Sequence, residues 1–159
     1  MKSQYAGYHT PQSLRDSSSI LEEQLKCGCS PALPQGVYSC DMAATPDLVP
    51  TLAVTLCLLG VPFTLTGVAT LRIKESDRLE ALRMELAKLG YIIIIGDNCL
   101  SYDGNHEAPQ GGVVLDPHGD HRMAMALSLA ATRHPCITIQ NAEVVTKSYP
   151  QWWQQLMKK

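Results

Sequence analysis

The 159-residue sequence predicts an α/β (α+β) domain. Three observations carry that reading. Runs with helical apolar spacing alternate with short strand-like runs of Val, Ile, Phe and Thr. Gly or Pro separates each helical run from the strand after it. A charged or capped turn opens the helix in three stretches, near 45–66, 76–95 and 120–139, and this is the rhythm of a repeated β/α unit.

Taken in order, residues 1–12 have no period and read as a tail. Leu14, Ile20, Leu21 and Leu25 mark a helical face, so a helix is expected from about Ser17. Gly28, Pro31, Pro34 and Gly36 make 27–36 a connector, and 37–40 reads as a short strand. Thr45-Pro46-Asp47 is a helix start: Thr can cap, Pro fits the first position, and Asp favours the positive end of the dipole. The run LVPTLAVTLCLLG is apolar nearly all round, as in a helix buried on most sides. Gly60 closes it and PFTLTG follows as a strand that alternates Phe63 with Leu65.

RIKESDR at 72–78 then leads into LEALRMELAKLG. Leu79, Leu82, Leu86 and Leu89 define one face, with Glu80, Arg83, Glu85 and Lys88 elsewhere. Ser76 is the expected cap and Gly90 the stop. YIIIIG is a buried strand, paired with 99–102 across Gly96-Asp97. Residues 103–111 read as loop, 112–115 as strand and 116–120 (DPHGD) as a turn. A helix from His121 to about Arg133, a strand at 136–139 and a short helix after Pro150 complete the chain.

Composition narrows the function classes. A net charge of −2 and a pI near 6.2 give no general attraction to nucleic acid or acidic membranes. Aromatic residues, at 6%, are too sparse for a base-stacking platform. No run approaches the ~20 apolar residues of a membrane span. The first residues lack a secretory signal's apolar stretch, so a cytoplasmic protein is expected. Its cysteines are then reduced, with Cys57 and Cys136 in apolar runs read as buried thiols. Cys27 and Cys29 lack a second pair at zinc spacing.

The cations, by contrast, gather at particular points. Lys74 and Arg78 flank one helix start, Arg122 lies in the first turn of another, and Lys147 precedes the last helix. Helix N-termini present free N–H groups that suit phosphate or carboxylate. Arginine there is unfavourable for the helix itself, so its use at both Arg78 and Arg122 hints at an anion that offsets the cost. Carboxylates stand at matching points: Asp47 at one helix start and Glu75 beside Lys74, while His121 follows Asp120. Cations to hold charge, with a carboxylate and a histidine to move protons, are the means for transfer chemistry on an anionic substrate. Each feature alone also fits a plainer role: a solvated ion-paired turn, a helix-start Asp, a backbone-bonded His. Asp116, His118, Asp120 and His121 alternate as metal ligands can, but Pro117 and Gly119 fit a turn and no spacing is diagnostic.

The blocks TPDLVPTLAV, RIKESDRLEALRMELAKLG, GDHRMAMALSLAA and VVTKSYPQWW span 45–153. In this order they resemble the 3-phosphoshikimate 1-carboxyvinyltransferase (EPSP synthase) family. The resemblance implies repeated βαβαββ units in two lobes, with the active site between them. It implies transfer of the enolpyruvyl group of phosphoenolpyruvate to the 5-hydroxyl of shikimate 3-phosphate, through a tetrahedral intermediate, without metal or organic cofactor. By motif, Asp47 looks like the base facing the hydroxyl and Lys74 like a contact to shikimate 3-phosphate. Glu75 looks like the acid/base near the phosphoenolpyruvate methylene. Arg78, Arg122 and Lys147 resemble the cations that hold phosphoenolpyruvate, and His121 a hydrogen-bonding neighbour of it.

Only the C-terminal part of that family is matched. The expectation is therefore one incomplete lobe over 13–159, about two repeat units plus part of a third, carrying half an active site. Its missing partner would be the N-terminal lobe, and the uncovered edge implies self-association of the fragment. A non-catalytic anion-binding module of the same fold remains an alternative. So does UDP-N-acetylglucosamine enolpyruvyl transferase, though KESDR followed by DHRMAM fits the shikimate enzyme better.

Overall fold

The structure is a computed structural model, and it describes residues 8–9, 36–109 and 111–157. The helix expected from Ser17 and the Cys27/Cys29 pair lie outside the described residues. The described elements are β1 (Tyr8–His9), β2 (Tyr38–Asp41), α1 (Val49–Leu59), β3 (Phe63–Thr66), α2 (Arg78–Lys88), β4 (Tyr91–Ile95), β5 (Cys99–His106), β6 (Val114–Leu115), α3 (His121–Ser128), β7 (Thr138–Ile139) and α4 (Trp152–Leu156).

A four-stranded sheet has the order β2-β3-β5-β4. β2 and β3 are parallel, joined by α1, while β5 is antiparallel to both its neighbours. From Tyr38 to His106 the chain thus runs β-α-β-α-β-β. A second sheet has the order β1-β7-β6, with α3 linking β6 to its parallel neighbour β7. Tyr8 and His9, read from composition as tail, pair antiparallel with Ile139 and Thr138.

Helix α1 justifies its apolar composition: Val49, Ala53, Val54, Leu56 and Cys57 are all buried, and it packs on α3. Gly60 ends it in the left-handed conformation (φ 68°), with its N–H bonded back to Leu56 and Cys57 carbonyls. Helix α2 turns Leu79, Leu82 and Leu86 into the core. Phe63 and Leu65 of β3 meet Leu100 and Tyr102 of β5 on the inner face of the sheet. On β4, Tyr91 and Ile93 point in while Ile92 and Ile94 point out, the strict alternation of a half-buried strand.

Several expectations need correction. Thr45 makes no side-chain cap; a 3₁₀ turn, Pro46–Leu48, precedes α1 instead. The cap of α2 is Asp77, not Ser76: its carboxylate accepts from Leu79 N–H at 3.2 Å and Glu80 N–H at 3.1 Å. β5 runs on to His106, because opposite it Tyr91 still offers backbone partners to residues whose composition suggested loop. α3 stops at Ser128 and passes into a 3₁₀ turn, Leu129–Thr132. The strands at 112–115 and 136–139 shorten to two residues each. Cys136 is exposed rather than buried, whereas Cys57 is buried and its thiol pKa is pushed up by burial. Glu85, placed away from the leucine face, is wholly buried with it.

Candidate active site

Four segments that are distant in sequence meet at the N-terminal ends of α1, α2 and α3. The 3₁₀ turn before α1 supplies Asp47, and the turn before α2 supplies Lys74 and Glu75. Arg78 is the first residue of α2, and α3 brings His121 and Arg122 behind its cap Asp120. Lys147 ends the 3₁₀ turn Ala142–Lys147.

Arg78 is the centre of the arrangement. It is 1% exposed, yet every nitrogen of its guanidinium has a carboxylate partner. Nε donates to Asp120 Oδ2 at 2.6 Å, one terminal nitrogen to Asp47 Oδ1 at 2.7 Å, and the other to Glu75 Oε2 at 2.8 Å and Asp120 Oδ1 at 3.3 Å. A buried guanidinium is tolerable only when paired in this way. Burial works to lower the Arg78 pKa, but the bond and charge of Asp120, the bond to Asp47 and the charge of Glu75 raise it above its ordinary value. The anion that offsets an arginine at this helix start is therefore, in the first place, the protein's own.

Asp120 is the other fully buried member, and its part in the cluster is not evident from the sequence, where it reads as part of a turn or of the alternating Asp and His residues. Its Oδ1 also accepts from the backbone N–H of Arg122 at 2.8 Å and of Met123 at 3.4 Å, so one side chain both caps α3 and binds Arg78. Burial pushes its pKa up, but Arg78 and these amides outweigh burial and hold it below the ordinary carboxylate range. The signal for it was an Asp immediately before the helical run HRMAMALSL.

The remaining cations face solvent around this buried centre. Lys74 Nζ lies 3.6 Å from Asp47 Oδ1, Arg122 lies 3.3 Å from Asp47 Oδ2, and Lys147 Nζ lies 3.8 Å from Glu75 Oε1. Asp47 therefore touches three cations. Burial raises its pKa, but the Arg78 bond and the charges of Arg122, Lys74 and Arg78 bring it below its ordinary value. Four cations stand against three carboxylates, and the exposed ones are Lys74, Arg122 and Lys147, so the open side of the cluster is positive. His121 is 7% exposed and its Nδ1 is buried without a hydrogen-bond partner. The alternation of Asp116, His118, Asp120 and His121 makes no metal site, and among the described residues no three such side chains converge as a metal would require.

The family model for EPSP synthase (3-phosphoshikimate 1-carboxyvinyltransferase) matches residues 16–156. The chain belongs to the EPSP synthase family. Over 119 residues it is 48% identical to the 3-phosphoshikimate 1-carboxyvinyltransferase of Bacteroides fragilis (strain YCH46), covering 74% of this chain and 29% of that protein. The Clostridium acetobutylicum protein of the same name is 44% identical over 117 residues, 73% of this chain and 27% of its own length. An EPSP synthase structure from Acinetobacter baumannii superposes with a TM-score of 0.61 at 30% identity, covering 69% of this chain and 26% of that one. The chain thus spans under a third of the length of each of these three proteins. Of the motif residues of the family resemblance, Asp47, Lys74, Glu75, Arg78, Arg122 and Lys147 are joined by ion pairs, and His121 is joined to them only through its chain neighbours Asp120 and Arg122. Each nitrogen of Arg78 is already bonded to a carboxylate of this chain.

Proposed function

We propose that this chain carries half the active site of a 3-phosphoshikimate 1-carboxyvinyltransferase. The reaction joins the 5-hydroxyl of shikimate 3-phosphate to the enolpyruvyl group of phosphoenolpyruvate and releases phosphate. The observation that carries the reading is the buried Arg78, which holds Asp47 and Glu75 together inside a ring of outward cations.

In this reading Arg122 and Lys147 hold the anionic groups of phosphoenolpyruvate, and Lys74 meets shikimate 3-phosphate. Arg78 exchanges Glu75 for a substrate carboxylate, since a guanidinium fork accepts either anion. His121 Nδ1 gains the partner it lacks from a ligand oxygen. Asp47, kept ionised by its cations, takes the proton of the 5-hydroxyl as that oxygen bonds to C2 of phosphoenolpyruvate. Glu75, released by Arg78 and protonated from solvent, gives that proton to C3, which completes the tetrahedral intermediate. In the elimination Glu75 takes a proton back from the new methyl group. The C2–O bond to phosphate breaks, and phosphate leaves with the proton that Asp47 had accepted. The cations stabilise charge on the departing group.

We also propose the organisation around this site. The described region belongs to one incomplete lobe over 13–159, about two repeat units plus part of a third, and its natural complement is the N-terminal lobe. Exposed Ile92 and Ile94 on β4, an edge strand among the described residues, favour self-association when that complement is absent. The work is cytoplasmic, and among the described residues no helix is long and apolar enough to cross a membrane.

The test is phosphate release from the two substrates, by the chain alone and mixed with the N-terminal remainder of a full-length relative. Activity in the mixture only, abolished by Arg122→Ala, is the expected result. Turnover by the chain alone would contradict the half-site. Silence from pieces shown to associate would sink the transferase reading in favour of an anion-binding module. UDP-N-acetylglucosamine as competing acceptor separates the related transferase.

A further inference from the structure

Helix α2 grips the turn 116–120 at both ends. Arg78, at the start of the helix, takes the Asp120 carboxylate at the end of the turn. Glu85 lies two helical turns further on, on the same face, and is wholly buried. Its Oε2 accepts from the backbone N–H of Asp116 at 2.8 Å and from Lys88 Nζ at 2.7 Å. Its Oε1 accepts from His118 Nε2 at 3.0 Å. Within the turn, the His118 N–H donates to Asp116 Oδ1 at 2.8 Å and the Asp120 N–H to the Pro117 carbonyl at 3.0 Å. His118 holds a left-handed backbone (φ 53°), which a non-glycine residue adopts only when its surroundings impose it.

A wholly buried carboxylate is costly, and an apolar side chain of similar volume would avoid that cost. What the carboxylate does that an apolar side chain cannot is hold the turn. We propose that Glu85 is a positioning residue: with Arg78 it fixes the turn 116–120, and so sets where Asp120, His121 and Arg122 stand. What is positioned is a catalytic site only on the function proposed above, but the grip itself is independent of that function. The competing reading is that Glu85 merely ties down Lys88.

The test is nuclear magnetic resonance on the whole 159-residue chain, following the Arg78 Nε–H and Arg122 amide signals. Glu85→Gln keeps the volume but removes the charge and one of the two acceptors. The Arg78 and Arg122 signals should move, and exchange of Arg78 Nε–H with solvent should speed up roughly tenfold as the turn opens locally. Amides of β3 and β5 should stay in place. If Glu85→Gln does not fold, His118→Ala serves instead, since that ring is 29% exposed and its loss removes one arm of the grip. The same signals should then move by less. Changes confined to Lys88 and Asp116, with Arg78 and Arg122 unmoved, overturn the proposal. A parallel titration with phosphoenolpyruvate keeps the two readings apart. Binding weakened several-fold in the variants supports both. Failure of the unaltered chain to bind counts against the transferase reading, while the Arg78 signals still decide the grip.

Discussion

Replacing Asp120 tests the arrangement most directly. Asp120→Asn keeps the shape and still offers an oxygen to the Arg122 N–H, so the cap of α3 survives. It removes the negative charge 2.6 Å from Arg78 Nε, in a pair whose members are 1% and 0% exposed. Breaking a buried pair from one side costs about 3–5 kcal/mol, because the other charge stays buried. Arg78 keeps Asp47 and Glu75, which places the loss near the low end, about 3 kcal/mol. Asp120→Ala loses the cap as well, which adds about 1 kcal/mol. The assay is urea unfolding, read as the shift in midpoint at constant slope. Acid gives a second, independent reading. The Asp120 pKa is depressed in the folded chain, so its stabilisation is full above the ordinary value of 3.8 and is lost as pH falls through the lower folded value. The gap between the two proteins should therefore hold from neutral pH down to that region and then close. A deficit under about 0.5 kcal/mol at neutral pH, the scale of an ordinary surface change, would refute the reasoning. So would a gap that stays constant deep into acid.

Lys147→Ala should change stability by less than about 0.5 kcal/mol, because its side chain is 63% exposed and 3.8 Å from Glu75. In the complemented mixture the same change should lower phosphate release about a hundredfold or more, measured under identical conditions. His134, bonded to the Tyr91 hydroxyl at 2.9 Å, has its pKa lowered by burial first and then by His106 and Arg133. Stability is thus full above its ordinary value of 6.5 and declines as pH falls through the folded value; His134→Gln should flatten that part of a thermal-midpoint profile. Gly67, at φ 72°, ends β3 where an added Cβ would strike the Asp41 carboxylate and the Ala43 backbone nitrogen. Gly67→Ala should cost at least about 2 kcal/mol in urea unfolding.

Much of the fold was legible because burial and period coincide. Leu79, Leu82, Leu86 and Leu89 line one face and are all buried, and the apolar run of α1 is buried as its composition demands. Local rules failed where a neighbour outvoted them. Asp77 rather than Ser76 caps α2. Asp103, Gly104 and Asn105 suggest a loop, yet they sit in β5, whose ladder to β4 runs on to His106 opposite Tyr91. Glu85 escaped notice because a period argument assigns charge to the outside, and only a partner in space, here the turn 116–120, gives a buried carboxylate a reason. The candidate residues Asp47, Glu75, Arg78, Arg122 and Lys147 stand out in the sequence by their charge near helix starts and by family resemblance. Which of them is buried could not be read, since the contacts of Arg78 to Asp47 and Asp120 cross 31 and 42 residues.

That burial settles why RIKESDR mixes both signs so densely. In a solvated turn, each ion would face water and the pairs would contribute little. Here the charges divide by depth. Arg78 goes in and must be answered by carboxylates, while Lys74 stays 32% exposed at the surface. The answer comes from three places at once: Glu75 from its own turn, Asp47 from the 3₁₀ turn before α1 and Asp120 from the cap of α3. No subset of these elements can supply it, so the buried cation is satisfied only when α1, α2 and α3 have packed together. The same condition brings Asp47 beside Glu75 and sets the outward cations around them. A mutation that loosens the packing of these helices should therefore leave the guanidinium under-paired in the interior, at a cost of about 3–5 kcal/mol.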